Sequence, residues 1–116
     1  MKGASMNLDV ASREAGDYLV FELKGEVDLY SAPTLKQAVY DAIDNGRTKL
    51  VLDLDALEFM DSTGLGILVA SLKRLSTEGG QLKLVCTRDS ILKLFEITGL
   101  DKVFDIYETV EASTGA

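Results

Sequence analysis

The segment from residue 50 to residue 75 constrains the fold more than any other part of the chain, because it places a buried strand shortly before an amphipathic helix. The run Leu50-Val51-Leu52-Asp53-Leu54 is typical of a buried strand. Apolar residues then recur with the spacing of one helix face, at Leu65, Leu68, Val69, Leu72 and Leu75. Between the two lies the segment Phe59-Met60-Asp61-Ser62-Thr63-Gly64-Leu65-Gly66, which therefore contains a strand-to-helix turn.

Strand and helix patterns alternate along the rest of the chain. Further strands are predicted at residues 8–11, 18–24, 81–86 and 103–107. Helices are predicted to follow Ser31 as far as Asn45-Gly46, to run from the Asp-Ser-Thr-Gly turn to about Glu78, and to span residues 89–98. A short helical turn is also predicted at residues 109–112. Residues 13–17 are predicted to form a turn, residues 25–30 a loop and residues 55–61 the approach to the central helix.

This order of elements predicts an α/β fold with a mixed, mostly parallel sheet of four to five strands and three main helices. Repeated strand–helix–strand units require parallel pairing and right-handed crossovers. The short turn after the first strand favours antiparallel pairing with the second, so one edge of the sheet is expected to be antiparallel. Helices are expected to cover the sheet.

The length of 116 residues fits a single domain, here expected to span residues 1–116 with mobile tails at 1–5 and 113–116. Neither a membrane-spanning run nor a signal-peptide pattern is seen, so a cytoplasmic protein is expected. Cys86 is the only cysteine, which excludes an intrachain disulfide, and its apolar neighbours predict a core position.

Composition argues against several classes of function. The net charge of −7 and the lack of a basic stripe argue against nucleic-acid binding. Because there is no histidine, a Ser-His-Asp triad cannot form within the chain, and a metal site would have to rely on one cysteine and carboxylates. No phosphate-binding loop ending in Gly-Lys-Ser/Thr occurs. We therefore expect no enzymatic activity, no metal and no cofactor.

The carboxyl ends of parallel strands gather functional residues, and two predicted loops leave such ends close together. They carry Asp28, Ser31, Asp61, Ser62 and Thr63. Ser62 lies at a helix N-terminus, where free amides and the helix dipole favour a negative group such as phosphate, and Asp61 either orients its hydroxyl or favours the dipole. The alternative is that all five residues serve only as turn and cap residues.

Apolar residues and glycines flank these polar positions. Phe59 is assigned to the core, while exposure of at least one of Leu29, Tyr30 and Met60 is expected and would provide the centre of a protein interface. Gly64 and Gly66 serve either close packing, which is favoured, or close approach of a partner.

Two segments resemble the STAS family, specifically the bacterial anti-sigma factor antagonists. They are Phe59-Met60-Asp61-Ser62-Thr63-Gly64-Leu65-Gly66 and Gly25-Glu26-Val27-Asp28-Leu29-Tyr30-Ser31-Ala32, and the resemblance extends from about Leu8 to about Tyr107. It implies the STAS fold and identifies Ser62 as the phosphate acceptor. The implied partner-binding residues are Asp28, Leu29, Tyr30, Ser31, Met60, Asp61, Ser62, Thr63, Gly64 and Gly66.

The resemblance also implies a partner-switching function. The unphosphorylated protein would bind an anti-sigma factor and free the sigma factor. The anti-sigma factor would also act as an ATP-dependent serine kinase on Ser62, and a serine phosphatase would reset the switch. An alternative is a non-switching STAS adaptor subunit of a transporter or signalling complex. A third hypothesis is a small enzyme with Ser62 as nucleophile. It is disfavoured because the chain offers no obvious general base to activate Ser62.

Overall fold

A computed structural model describes residues 7–115 as one five-stranded sheet with helices. The strands are β1 (Leu8–Ala15), β2 (Tyr18–Val27), β3 (Lys49–Met60), β4 (Gln81–Val85) and β5 (Asp105–Tyr107). The helices are α1 (Ala32–Asp44), α2 (Ser62–Thr77), α3 (Asp89–Thr98) and the short α4 (Val110–Thr114), with a 3₁₀ turn at Leu100–Lys102. The sheet order is β1-β2-β3-β4-β5, with β1 antiparallel to β2 and the remaining pairs parallel. The predicted α/β fold with an antiparallel edge strand is confirmed.

The three main helices cover one face of the sheet, here called the front face. Inward residues of α1, α2 and α3, such as Leu35, Leu68 and Phe95, pack with alternate strand residues in one core cluster. On the back face a smaller cluster forms where Val110 of α4 covers Tyr18, Val20, Val51 and Val85. The three crossover helices share the front face, and within residues 7–115 the strand order runs in a single direction from β1 to β5.

The first three strands extend further than the sequence pattern predicted, whereas β4 ends one residue early, at Val85, and β5 begins two residues late, at Asp105. β1 continues to Ala15, so the predicted turn at residues 13–17 shrinks to Gly16 and Asp17, and β2 continues through Gly25 to Val27 instead of ending in a loop. β3 continues to Met60 through the predicted approach segment. Gly25 has a φ of 110°, and a Cβ there would lie 2.0 Å from the Asn7 carbonyl oxygen, so only glycine fits this close approach.

The C-terminal residues are anchored by contacts with the sheet. Ser113 and Thr114 form the last turn of α4, whereas the sequence pattern placed them in a C-terminal tail. The Ser113 side chain is buried, and Lys83 Nζ donates a hydrogen bond of 2.8 Å to the Ser113 carbonyl oxygen. The predicted tail at residues 1–5 and Ala116 lie outside the described residues.

Cys86 is buried in the core, as predicted. Among residues 7–115, no helix has both the length and the apolar character needed to cross a membrane.

Candidate functional site

The ends of β2 and β3 bring the two predicted loops together. Val27 and Met60 are register partners in the parallel pair, and the Asp61 amide donates a hydrogen bond of 3.1 Å to the Val27 carbonyl oxygen. The turn that follows Val27 therefore lies beside the first turn of α2. This juxtaposition, predicted from strand ends, is confirmed.

Asp61 begins α2 as its N-cap residue. Its Oδ1 accepts hydrogen bonds from the amides of Thr63 (2.9 Å) and Gly64 (3.2 Å), and its carbonyl oxygen accepts one from the Leu65 amide. These are the amides that a phosphate at a helix N-terminus would normally use, and here a carboxylate already occupies two of them. Within residues 7–115 no hydrogen bond joins the Asp61 carboxylate to the Ser62 hydroxyl, so Asp61 acts as a cap.

Ser62 is the first residue of α2, and its side chain is exposed. The hydroxyl stands at the positive end of the helix dipole, on the same edge of the sheet as the turn after β2. Thr63 is only partly exposed, because it lies one position further into the helix. Of these two side chains, that of Ser62 is therefore the more accessible to solvent.

A buried hydroxyl fixes the turn between β2 and α1. Ser31 has no exposed surface, and its Oγ donates to the Glu26 carbonyl oxygen (2.7 Å) and accepts from the Asp28 amide (2.9 Å). Asp28 Oδ1 in turn accepts from the amides of Tyr30 and Ser31, each at 2.9 Å. The Ser31 amide is the main cause that holds the pKa of the Asp28 carboxyl below its ordinary value, and the Tyr30 amide adds to the effect.

Ser31 precedes α1 as predicted, but its side chain makes no hydrogen bond to the first turn of that helix. Ser31 therefore occupies the N-cap position without capping α1 through its side chain, because its hydroxyl bonds to the backbone of Glu26 and Asp28. Pro33 lies in the first turn, where its missing amide proton costs nothing.

The apolar residues of the site divide differently from the prediction. Leu29 is 63% exposed and Tyr30 is 69% exposed, which confirms that at least one apolar residue stands outside. Phe59, assigned to the core from sequence, is 47% exposed, while Met60 is 1% exposed and packs in the core. Direct partner contact by Met60 is thereby excluded in this conformation.

Two irregularities in the pairing of β3 explain why Phe59 is exposed and Met60 is buried, the reverse of the prediction. The pairing register shifts between Glu22 and Lys24 and again between Gly25 and Glu26, and each shift adds one residue to β3. Such β-bulges interrupt the two-residue alternation of a strand. The buried residues of the second half of β3 consequently recur every third position, at Leu54, Leu57 and Met60, and Glu58 and Phe59 are both exposed.

The two glycines of α2 have different surroundings. A Cβ on Gly64 would lie 2.7 Å from Met60 Cγ and 2.7 Å from Val27 Cγ1, so Gly64 is required for packing. A Cβ on Gly66 would meet nothing within 4 Å, and Gly66 is exposed. The sequence favoured a packing role for both glycines, but the structure supports that role only for Gly64.

Of the predicted partner-binding residues, seven have accessible surface and are here called the Ser62 surface: Asp28, Leu29, Tyr30, Asp61, Ser62, Thr63 and Gly66. The other three, Ser31, Met60 and Gly64, are buried and shape the surface from beneath. Phe59 is a further exposed residue next to this surface that the sequence pattern missed, because nothing in the sequence reveals the bulges. Within residues 7–115, no group of three potential ligand side chains is placed to hold a metal ion.

Comparison with known proteins gives consistent matches. Residues 9–113 match the family model of the STAS domain. The chain is 36% identical over 101 residues to the anti-sigma-B factor antagonist of Bacillus subtilis (strain 168), covering 87% of this chain and 92% of that protein. It is 32% identical over 106 residues to the anti-sigma-B factor antagonist of Staphylococcus aureus (strain NCTC 8325 / PS 47), covering 91% and 98%. The crystal structure of an anti-sigma factor antagonist from Mycobacterium paratuberculosis superposes with a TM-score of 0.87 at 30% identity, covering 99% and 97%.

Proposed function

Because the chain belongs to the STAS domain family, we propose that it is an anti-sigma factor antagonist, which binds an anti-sigma factor in the cytoplasm and so releases a sigma factor. The names of the relatives from Bacillus subtilis and Staphylococcus aureus support this function. One structural observation carries it: the exposed Ser62 and the two large exposed apolar side chains of Leu29 and Tyr30 lie on neighbouring turns, joined by the hydrogen bond from the Asp61 amide to the Val27 carbonyl oxygen.

The Ser62 surface has the composition of a protein interface. Leu29 and Tyr30 can each bury apolar area against a partner, while the carboxylates of Asp28 and Asp61, one on each of the two turns, are held by backbone amides. Because the chain carries a net charge of −7, a partner with a basic face would also be attracted from a distance. The surface thus suits a protein partner, and no nucleic acid or membrane is part of the proposed function.

The proposed switch is phosphorylation of Ser62 by the anti-sigma factor, acting as a serine kinase. The Ser62 oxygen bonds to the γ-phosphorus of ATP held by the kinase, while the bond from that phosphorus to the bridging oxygen breaks. The hydroxyl proton passes to a base of the kinase, and ADP is released. Phosphate adds about −1.5 to −2 charges at pH 7. Because Asp61 already occupies the amides of Thr63 and Gly64, the phosphate would face outward beside a carboxylate. Its charge would have to be desolvated before this surface could pack against the partner, which would weaken binding. A serine phosphatase would restore binding by hydrolysis.

Affinity capture with nucleotide tests this function. The tagged chain is incubated with lysate of its source organism in ADP, and separately in ATP with magnesium. An anti-sigma factor should be retained with ADP and lost with ATP, and peptide mass spectrometry should find one phosphate, on Ser62. The Ser62→Ala variant is the matched control and should retain the partner in both nucleotides.

Other results would redirect the assignment. Phosphate on Thr63, Ser31 or Thr34 would contradict the assignment of Ser62. A partner from a transport or signalling complex, retained without phosphorylation in either nucleotide, would favour the adaptor function. The isolated chain should hydrolyse neither ATP nor ester substrates, and turnover that disappears in Ser62→Ala would revive the enzyme hypothesis.

A further inference from the structure

The outer edge of β1 lies at one end of the sheet order, two strands from β3 and the α2 turn. β1 is the first strand of the sheet and pairs only with β2, so within residues 7–115 its other side has no strand neighbour. Residues 11–14 are all exposed. An edge strand of eight residues presents backbone N–H and C=O groups that can pair with another strand.

We propose that two copies of this chain pair antiparallel through their β1 edges, with the twofold axis at Ala11, so that their sheets become continuous. The register places Asp9 of each copy opposite Arg13 of the other, with the two Ala11 residues between them. The charge pattern of this strand is therefore complementary to itself. This inference does not rest on the proposed function.

The faces of the sheet restrict the register. Leu8 and Val10 belong to the front-face core, whereas Asp9, Ala11 and Arg13 alternate with them on the back face. In the proposed pair the helices of both copies lie on the same side of the continuous sheet. Residues that face each other across the two β1 strands must then point to the same face, so the twofold axis must pass through a residue and not between two residues. An axis at Arg13 would oppose two arginines, and an axis at Val10 or Ser12 would leave Asp9 and Arg13 without an opposite charge. Of these registers, only the one with its axis at Ala11 places Asp9 and Arg13 each opposite a residue of opposite charge.

The charges next to β1 extend this pattern across the pair. Asp9 lies opposite Lys24 in the β1–β2 register, and Arg13 Nε donates to Glu22 Oε2 at 3.0 Å. In the pair, Asp9 would lie between Lys24 of its own copy and Arg13 of the second copy. Positive and negative side chains would therefore alternate across the strands. Opposite charges that face each other across strands stabilise pairing.

A groove beside β1 accommodates the second strand. It has a volume of about 550 Å³, lies between β1 and α1, and is lined in part by Val10, Phe21, Pro33 and Ala38. In the proposed register, Val10 of the second copy lies opposite Ser12 on the front face and can bury its side chain over this groove. The interface consists of one strand pair and its flanking helices, so we expect it to be smaller than a standard interface of ~1,600 Å² and the dimer to be weak.

Sedimentation of two charge variants tests the register. The full chain should show a concentration-dependent monomer–dimer equilibrium. Asp9→Arg alone and Arg13→Asp alone should each raise the dissociation constant at least about tenfold, because each creates two like-charge pairs. An equimolar mixture of the two variants should dimerise with about the affinity of the unaltered chain, because the heterodimer restores both opposite-charge pairs. Thermal unfolding of each variant checks that it folds.

Amide hydrogen exchange on the unaltered chain is an independent measurement that needs no variant. Protection within β1 should rise between dilute and concentrated protein, while amides of α3 stay unchanged. The proposal is overturned if the unaltered chain remains monomeric at millimolar concentration, if either variant alone dimerises like the unaltered chain, or if the mixture stays monomeric. None of these results bears on capture of an anti-sigma factor, so the two proposals fail separately.

Discussion

The amide nitrogen of Asp61 lies 3.1 Å from the carbonyl oxygen of Val27, and this hydrogen bond ties the start of α2 to the end of β2. Asp61 caps α2, and Val27 leads directly into the turn that exposes Leu29 and Tyr30. The bond therefore fixes the exposed hydroxyl of Ser62 and the exposed apolar pair relative to each other. A change at either loop is expected to affect binding at both.

Replacing Ser62 by Asp should weaken partner binding without unfolding the domain. The new carboxylate lies at the positive end of the α2 dipole, worth ~0.3–1 kcal/mol, but also beside Asp61, so the melting temperature should move by only a few degrees. A charge that must be desolvated at an interface should lower affinity for the anti-sigma factor at least about tenfold, or ~1.4 kcal/mol. Ser62→Ala should keep the affinity, as measured by titration calorimetry. Unfolding by Ser62→Asp, or unchanged affinity, would contradict a charge switch.

Truncating Leu29 tests whether exposed apolar area is used for binding. Leu29→Ala should lower affinity for the anti-sigma factor about tenfold or more, while the free energy of unfolding changes by less than ~0.5 kcal/mol. Ile97 on α3 is a matched control, because it is 76% exposed and lies outside the Ser62 surface. Ile97→Ala should change neither quantity. Equal loss of affinity in both variants would place the interface elsewhere.

Removing the Ser31 hydroxyl should destabilise the turn after β2, because this buried hydroxyl bonds to the backbone of the turn. Ser31→Ala leaves the Glu26 carbonyl oxygen and the Asp28 amide without their partner, which costs about 1–3 kcal/mol for buried groups. The melting temperature should fall by several degrees, and affinity for the anti-sigma factor should fall as well. Ser76→Ala, at an exposed position of α2, should leave both unchanged. Wild-type stability in Ser31→Ala would show that the turn does not depend on this hydroxyl.

The two glycines of α2 should respond to alanine in opposite directions. Gly64→Ala forces a methyl group against Val27 and Met60 and should destabilise the domain by about 1–3 kcal/mol. Gly66→Ala places its methyl group in open space on a helix and should stabilise the domain by about 0.5–1 kcal/mol. Denaturant unfolding of both variants measures the difference. If Gly66→Ala is stable but loses affinity, a partner approaches the backbone at this position.

Stability should depend on pH through Asp53 on the back face of the sheet. Burial, reinforced by the nearby carboxylates of Asp55 and Glu22, raises the pKa of Asp53 above its ordinary value. The folded state therefore binds this proton more tightly than the unfolded state, and the resulting stabilisation at low pH is lost as the pH rises through the folded pKa.

The expected result is that Asp53→Asn raises the melting temperature at pH 7 by about 1–4 °C, with a smaller gain at pH 4. Asparagine keeps an oxygen that can accept from the Asp55 amide, as Asp53 does at 3.0 Å. Glu58→Gln, an exposed position on the same strand, is the control and should change little at either pH. A gain that is larger at pH 4 than at pH 7 would contradict the sign of the shift.

The sequence by itself determined the order of elements and much of their extent. Apolar spacing and terminal residues located α1, α2 and α3 to within a residue or two, because helix amphipathicity and capping are local properties. Gly99, with a φ of 76°, ends α3 where predicted. The alternation of strands and helices then restricted the sheet to mostly parallel pairing, which also placed Asp28 and Ser62 at the same edge.

Only the tertiary structure decided which of these residues face outward. The two bulges of β3 depend on its register with β2, and they exposed Phe59 and buried Met60 against the expected assignment. Ser31 could be identified as a helix start, but its bond to the Glu26 carbonyl oxygen depends on how β2 ends. Alternation and capping preferences follow from neighbours in the chain, whereas bulges and buried hydrogen bonds depend on contacts between strands and turns that only the assembled sheet brings together.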